Sequence, residues 1–463
     1  MSQTQKTILV AAPILGAVVG GGLTLGGLGF GAAMTAGVTV WVALWWVFEP
    51  IPIPATSLIP FVAFPFLGVL SNKEIAGAYG HWLILLLLGG FILSTAMERS
   101  GVHRRLALGM LELTRGGGER GTLLGFMLAA ALCSWWISNT ATTLVLLPIA
   151  MAIISDSKGL FRETLLLGIA YGASIGGIAT PIGTPPNVVL MGVYQEMTGK
   201  EVGFLDWMVF GVPISLTLLG VAWFYLSRSI PVSRKESVVL PQLGPWTSIE
   251  RRVLAVFAIT ALAWMTRTQP FGGWRSLWGG VGVGDDTVAL GAVIALFIIP
   301  SGREKGERLL DWESAEKIPW GLLILFGGGI ATAKAFVASG LSQQIGESLQ
   351  LIMEWPFWAL VAALCLVVTF LTELTSNTAT TTLLMPILAA TALGAGIEPL
   401  TIMVPAAISA SCAFMLPVAT APNAIVFGTG FIPVRAMARR GILLNLLGVV
   451  IITGFILLVW ELP

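Results

Sequence analysis

The chain has 463 residues, of which 56% are hydrophobic and only 11% are charged, and its formal net charge is +1. Soluble globular domains usually carry about 25% charged residues. This composition excludes a soluble domain and predicts an integral membrane protein, whereas the net charge says nothing about partners.

Apolar segments recur along the whole chain, and a membrane-spanning helix needs about 20 apolar residues. To within several residues, the candidate spans are 7–29, 31–48, 54–70, 81–98, 205–227, 252–268, 286–300, 319–337 and 440–461. We predict an all-α, multi-pass protein of the cell inner (plasma) membrane. The first segment is predicted to be a membrane helix, because its hydrophobicity continues past any signal-cleavage point.

The positions of Lys and Arg predict the orientation, since short cytoplasmic loops are enriched in them. They concentrate at Lys6 and in segments 99–120, 228–252, 303–317 and 435–440. All of these fall on one side of the membrane if two segments, 122–157 and 356–395, each enter and leave the membrane on the same side. The pattern then predicts about eleven spans, with the N-terminus cytoplasmic and the C-terminus external.

A polar phrase occurs twice in the apolar sequence. "ISNTATTLVLLPI" occupies residues 137–149 and "TSNTATTTLLMPI" residues 375–387, and from each Ser onward nine of twelve positions agree. Two further pairs of segments are similar. Residues 86–101 resemble 325–340 and precede the phrase in each copy, and "PIGTPPN" (181–187) resembles "PVATAPN" (417–423) and follows it. Three landmarks in one order predict a structural repeat.

The charge pattern predicts that the two repeats are inverted. Gly101 is followed by an Arg-rich segment, whereas the residues after Gly340, "LSQQIGESLQLIMEWPF", include no Lys or Arg. Equivalent ends of the two units should therefore lie on opposite sides of the membrane. Inverted-topology repeats are common in secondary transporters.

Each repeat should contain a helical hairpin and a broken helix. Segments 122–157 and 356–395 are too long for one span and too short for two, so we expect re-entrant hairpins, the first from the cytoplasmic side and the second from the external side. Prolines interrupt segments 164–195 and 400–428, which predicts helix breaks. Irregular backbone at membrane depth is tolerated only inside protein or beside a wet cavity.

The polar groups at these places suit a cation and an anion together. Asn, Ser and Thr oxygens and free carbonyls are ligands that a hard cation such as Na⁺ prefers. Asn amides, Thr hydroxyls and half-helix N-termini favour a carboxylate or sulfate. Neither tip contains Lys or Arg, so bound cations would balance the charge of the anion.

The doubled Ser-Asn-Thr phrase with its paired breaks resembles the divalent anion/sodium symporter family, over residues 30–463. Members carry dicarboxylates, citrate or sulfate. The resemblance implies a homodimer in membrane lipid, with Na⁺ as coupling ion, no organic cofactor, and a transport domain that moves like an elevator against a scaffold. We therefore expect scaffold helices in 1–80, a first repeat in 81–229, a cytoplasmic loop with scaffold helices in 230–318 and a second repeat in 319–463, which ends with helix 440–461.

The resemblance also implies site residues by motif. The sodium ligands would come from Ser134, Ser138, Asn139 and Gly183 in the first repeat, and from Thr372, Thr375, Asn377 and Ala419 in the second. The substrate would meet Ser138, Asn139, Thr140, Thr184 and Pro186, and Ser376, Asn377, Thr378, Thr420 and Pro422. Ala419 departs from the glycine of the first repeat, which puts the fine geometry of that site in doubt.

Some residues have two interpretations. The Ser-Asn-Thr groups could serve helix packing, and Thr184 and Thr420 could cap broken helices. Glu373 lies at membrane depth, where ionisable groups are functional candidates, and either a proton-linked or a structural hydrogen-bonding role is open. Lys334 could contact substrate or pair at the outer end of its helix.

We expect sodium-coupled symport of C4-dicarboxylates (succinate, malate, fumarate) by alternating access. The alternatives are a sodium-independent exchanger, a symporter of citrate or sulfate, and, more remotely, a cation antiporter or channel. An enzyme is not expected, because the sequence shows no catalytic cluster of His, Asp, Glu or Cys.

Overall fold

The computed structural model describes residues 1–154, 160–230, 244–268, 272–277, 282–348 and 355–459. These residues form helices and one isolated β-bridge, between Pro300 and Arg308, and they contain no strand. The predicted all-α class is confirmed. The ends of the predicted hairpin 122–157 and of the last helix 440–461, at 155–157 and 460–461, lie outside the described residues.

The first part of the chain forms seven helices. They are α1 (Gln3–Leu25), α2 (Phe30–Phe48), α3 (Ile53–Thr56), α4 (Ile59–Phe66), α5 (Asn72–Tyr79), α6 (Trp82–Ser100) and α7 (Val102–Leu113). The predicted span 54–70 consists of two short helices instead of one. Pro60 lies in the first turn of α4. At this position the missing N–H of proline costs no hydrogen bond, and its fixed φ favours the start of a helix.

Two helix pairs follow in the first repeat. They are α8 (Gly118–Ser134) with α9 (Asn139–Ile154), and α10 (Leu160–Gly177) with α11 (Pro185–Thr198), after which α12 (Phe204–Ser227) closes the unit. Helices α8 and α9 contact each other across a short turn, as expected for a helical hairpin. That this pair re-enters the membrane stays a prediction.

The middle of the chain connects the repeats through α13 (Ser248–Met265), α14 (Gly273–Leu277), α15 (Asp285–Ile298) and α16 (Trp312–Ala315). The second repeat contains α17 (Trp320–Ala338), α18 (Leu341–Ser348), α19 (Phe357–Thr372), α20 (Asn377–Gly394), α21 (Leu400–Ala410), α22 (Ala421–Phe427) and α23 (Val434–Val459). In the described residues, six helical segments are long and apolar enough to span a membrane: Gln3–Leu25, Phe30–Phe48, Asn72–Ser100, Phe204–Ser227, Trp320–Ala338 and Val434–Val459.

The same order of seven helices occurs in both halves. Helices α6 to α12 correspond one by one to α17 to α23, and both units are interrupted after their fifth helix, α10 or α21. The duplication seen in the sequence is thus matched by a duplication of elements.

The core lies where the two units meet. Helix α10 is buried from Thr164 to Gly177 and packs against α8, α9, α12 and α22, while α11 packs against α17, α20 and α21. Small residues permit this close packing, since a Cβ on Gly176 would overlap the backbone of Ala131. The second segment of each broken helix, α11 or α22, therefore packs against helices of the other half.

Candidate functional site

The two Ser-Asn-Thr phrases lie at the turns of the hairpins, where α9 and α20 begin. The Ser138 hydroxyl accepts a hydrogen bond from the Ala141 N–H at 3.2 Å, and the Ser376 hydroxyl accepts one from the Ala379 N–H at 3.5 Å. A serine that caps a helix N-terminus in this way fixes the start of the helix. The following asparagine is the first helical residue in both copies.

In the first repeat, oxygen atoms from the hairpin and the break converge. The Ser134 hydroxyl donates to Asn139 Oδ1. A Cβ built on Gly177 would lie 2.7 Å from Asn139 Oδ1 and 3.0 Å from the Gly183 carbonyl, and one on Gly183 would lie 2.9 Å from the Ser134 carbonyl. The predicted ligands Ser134, Asn139 and Gly183 are therefore neighbours around the end of α10.

The second repeat shows a matching arrangement. The Thr372 hydroxyl lies 2.6 Å from Asn377 Oδ1 and 2.9 Å from the Ala410 carbonyl, and it can donate its one proton to either of them. The Thr375 hydroxyl donates to the Leu371 carbonyl at 2.9 Å and lies 2.6 Å from the Thr380 hydroxyl. Hydroxyl and amide oxygens recur at equivalent positions, as expected for two symmetry-related sites.

A cavity of about 420 Å³ separates the two tips. It is lined by Ser138, Asn139, Thr140, Ile182, Gly183, Thr184 and Pro185 of the first repeat, by Ser376, Asn377, Thr378, Val418, Ala419, Thr420, Ala421 and Pro422 of the second, and by Leu87, Phe91, Pro319 and Leu322. Nine of the ten predicted substrate residues are among them. Pro186 is not, because it is buried and the preceding Pro185 faces the cavity instead.

The lining of this cavity includes no Asp, Glu, Lys, Arg or His. Its electrostatic character therefore comes from neutral groups. Helices α9, α11 and α20 begin at the cavity, at Asn139, Pro185 and Asn377, and helix N-termini favour anions. The fourth helix that starts there, α22, has only seven residues. The cavity thus offers an anion polar donors and helix dipoles, but no counter-charge.

Sequence reasoning missed the role of the last asparagine in each broken-helix motif. The Asn187 amide donates to the carbonyls of Gly177 at 3.0 Å and Thr180 at 2.7 Å. Asn423 donates to the carbonyls at the equivalent positions, 413 and 416, at 3.1 and 3.0 Å. Each asparagine binds two carbonyls of the break, of which one, that of Gly177 or position 413, would otherwise lack a donor. The carbonyls of Thr180 and position 416 also accept from backbone N–H groups at 3.3 and 3.2 Å. The asparagine recurs at the end of both "PIGTPPN" and "PVATAPN", and this recurrence could have indicated its role.

The two ionisable candidates lie outside the cavity lining. The Glu373 carboxylate accepts hydrogen bonds from backbone N–H groups of the second break, which agrees with the structural hydrogen-bonding interpretation. Lys334 Nζ lies 3.8 Å from Glu196 Oε2, so Lys334 pairs with a carboxylate of α11, as the second interpretation of this lysine proposed. Thr420, in turn, caps α22 through the Asn423 N–H at 3.2 Å and also lines the cavity.

Comparison with known proteins gives concordant results. The protein family described as "Citrate transporter" matches residues 43–402. The "Sodium-dependent dicarboxylate transporter SdcS" of Staphylococcus saprophyticus is 42% identical over 440 residues, which covers 90% of this chain and 83% of the relative. The protein of the same name from Staphylococcus aureus strain NCTC 8325 is 41% identical over 439 residues, with the same coverage.

Two solved structures share the fold. The YdaH transporter of Alcanivorax borkumensis superposes with a TM-score of 0.59 at 13% identity, covering 84% of this chain and 88% of its own. MtrF of Neisseria gonorrhoeae, described among antimetabolite efflux pumps, gives 0.58 at 17% identity, covering 89% and 84%. At such identities the likeness concerns the fold alone. By its sequence, the chain belongs to the citrate-transporter family, in agreement with the resemblance of its motifs to the divalent anion/sodium symporters.

Proposed function

We propose that the protein is a sodium-coupled symporter of C4-dicarboxylates such as succinate, malate and fumarate. The observation that carries this proposal is the uncharged cavity between two asparagine tips, each of which joins an oxygen cluster suited to Na⁺. The relatives that share 41–42% identity are named sodium-dependent dicarboxylate transporters, which supports the same substrate and ion. The protein is a transporter and not an enzyme.

The chemistry of coupling follows from the shared asparagines. Asn139 Oδ1 and Asn377 Oδ1 point to the hydroxyls of Ser134 and Thr372, and both asparagines also line the cavity. A cation among these oxygens would fix the amide orientation, which leaves the amide N–H groups as donors to a carboxylate. Two sodium ions would also offset the charge of a dianion in a site that has no cationic side chain. The anion site is then complete only when sodium is bound.

The proposed site residues keep the assignment made from the motifs, with one addition. Sodium would be held by Ser134, Ser138, Asn139 and Gly183, and by Thr372, Thr375, Asn377 and Ala419. Substrate would contact Ser138, Asn139, Thr140, Thr184, Ser376, Asn377, Thr378, Thr420 and Pro422. The addition is Pro185, which lines the cavity next to Pro186, whereas Pro186 itself does not.

We also propose the arrangement of the chain in the membrane. The N-terminus is cytoplasmic, the C-terminus is external, and the protein is a homodimer in lipid. Segments 1–80 and 230–318 form the scaffold, against which the hairpins and broken helices of the two repeats move. This proposal rests on the Lys and Arg distribution and on the resemblance to the symporter family.

The test is uptake of labelled succinate into proteoliposomes with an inward Na⁺ gradient. We expect uptake with NaCl outside and background uptake when choline or K⁺ replaces Na⁺. Uptake that survives this replacement would favour a sodium-independent exchanger, and no dicarboxylate flux under any gradient would favour transport of cations alone. Competition by unlabelled citrate or sulfate, measured on the same uptake, separates the substrates of this family.

A further inference from the structure

We propose that Glu373 is a positioning residue that fixes the second sodium site through the backbone of the broken helix. This inference rests on the proposed function and deepens it. Glu373 follows Thr372 directly and ends α19 as its C-cap residue. It is 3% exposed, and it does not line the cavity, so its effect on transport must act through other groups.

The Glu373 carboxylate binds three consecutive N–H groups of the break between α21 and α22. Oε1 accepts from the N–H groups of Phe414 at 2.7 Å and Met415 at 2.9 Å, and Oε2 accepts from that of Leu416 at 2.9 Å. A break in a buried helix leaves such donors unsatisfied, which is costly. One carboxylate therefore replaces the acceptors that an unbroken helix would have supplied.

A fourth donor joins this carboxylate to α23. The Asn445 amide donates to Glu373 Oε1 at 2.7 Å, and Asn445 Oδ1 accepts from the Phe414 N–H at 3.3 Å. With four donors directed at it and no ion-pair partner within the described part of the chain, the side chain is a carboxylate held by neutral groups. Hydrogen bonds to an ionised acceptor are stronger than those between neutral groups.

The neighbouring Thr372 connects this network to the sodium ligands. Its hydroxyl lies within hydrogen-bond distance of both the Ala410 carbonyl, at the end of α21, and Asn377 Oδ1. The end of α19 thus holds the carbonyl side of the break through Thr372 and the N–H side through Glu373. Displacement of either side would move the Thr372 and Asn377 oxygens relative to the break, and it would also move a negative charge that favours a nearby cation.

In the described part of the first repeat, no carboxylate binds the N–H groups of the break in this way. The residue equivalent to Glu373 is Trp135, and the tip there is linked to the break by the Thr180 hydroxyl, which donates to the Trp135 carbonyl. The residue equivalent to Asn445 is Ser215, which donates to the Ile175 carbonyl at 2.8 Å. The two halves are alike in ligands but differ in support, so a change at Glu373 should weaken one sodium site and spare the other.

The test compares wild-type protein with Glu373→Gln in Na⁺ activation of succinate uptake. The amide nitrogen of glutamine cannot accept from the Leu416 N–H, and the charge is lost. We expect the Na⁺ concentration for half-maximal uptake to rise about tenfold and the Hill coefficient to fall towards one, while the succinate KM at saturating Na⁺ stays within about threefold. The matched control is Glu398→Gln, whose carboxylate binds Tyr194 and Lys200 outside the break.

A second readout needs no transport. Na⁺ should raise the melting temperature of the purified protein in detergent relative to choline. For Glu373→Gln, the same rise in melting temperature should require about tenfold more Na⁺. If this variant does not fold, Asn445→Ala, which removes one donor, should shift the same curve in the same direction by a smaller factor.

The outcomes distinguish this inference from the proposed function. A wild-type protein that shows neither Na⁺-dependent uptake nor Na⁺-dependent stabilisation refutes both. A sodium response of Glu373→Gln that equals wild type overturns the inference alone. Uptake can also be measured with an inward proton gradient. If Glu373→Gln loses uptake under that gradient while its Na⁺ response is unchanged, the inference is overturned, because Glu373 would then carry a proton.

Discussion

At the scale of single residues, the two asparagines after the serine caps have the most demanding position. Each is the first residue of a helix, each turns its side-chain oxygen to the hydroxyl of the preceding helix, and each lines the cavity. In the proposed site each asparagine serves both the cation and the anion, so a side chain of similar shape should not replace it. The hydroxyls of Ser134 and Thr372 have only the proposed cation role, so their loss should be milder.

Replacement of either asparagine by alanine should reduce succinate uptake about 100-fold or more, because each substitution removes both a cation ligand and a carboxylate donor. The measurement is sodium-driven uptake by Asn139→Ala and Asn377→Ala at equal amounts of reconstituted protein. Asn72→Ala, at an exposed position of α5, is the matched control. Near-normal uptake by either tip variant would show that the site lies elsewhere.

Residue identity also explains what the sequence could and could not predict about the site. The motifs predicted which residues gather at the cavity, because a duplicated asparagine beside a helix break exceeds what helix packing needs. They did not predict that Pro185 rather than Pro186 faces the cavity, since the two differ only by one helical position. The three backbone donors to Glu373 could not be predicted either, because they lie more than forty positions away in the chain.

At the scale of elements, each broken helix is held by its own asparagine, which bridges two carbonyls of the break. The helix order was readable from hydropathy and proline positions, because these set where a continuous helix is possible. The division of the predicted span 54–70 into α3 and α4 was not predicted. Hydropathy is high through both helices, so it does not show that a second helix begins at a proline. Pairing between elements, such as α10 with α22, depends on tertiary contact and left no local signal.

Loss of either bridging asparagine should destabilise the fold. Asn187→Ala leaves the buried Gly177 carbonyl without its donor, and Asn423→Ala does the same to the Ala413 carbonyl. We expect each to cost about 1–3 kcal/mol and to lower the melting temperature in detergent. Differential scanning fluorimetry against wild type and Asn72→Ala measures it. An unchanged melting temperature would contradict the role of these amides in closing the breaks.

At the scale of the whole molecule, the cavity and the packing around it indicate which side is open. Pro319 and Leu322, at the start of α17, line the cavity, next to the basic segment 303–317. Elsewhere, α11 packs against α6 and α17 around a void of only about 10 Å³, lined by Leu83, Ile84, Val188, Val189, Val193, Phe326, Gly329, Ile330 and Thr382. With the proposed cytoplasmic position of the basic segments, we predict that the cavity opens to the cytoplasm and that this apolar packing closes it on the external side.

This state makes the access side measurable. Val418 lines the cavity and is 81% exposed, whereas the native Cys133, Cys365 and Cys412 are buried. In Val418→Cys, an impermeant maleimide should react from the cytoplasmic side, and Na⁺ with succinate should slow the reaction. Wild-type protein controls for the native thiols. Reaction from the external side alone would contradict the assigned orientation or state.

The central claim is that bound sodium completes the anion site, because a cavity without cationic side chains cannot otherwise balance a dianion. Isothermal titration of succinate into the purified protein, in NaCl and in choline chloride at equal ionic strength, tests it most directly. We expect binding in NaCl and no measurable binding in choline chloride. Equal affinity for succinate in the two salts would contradict the claim.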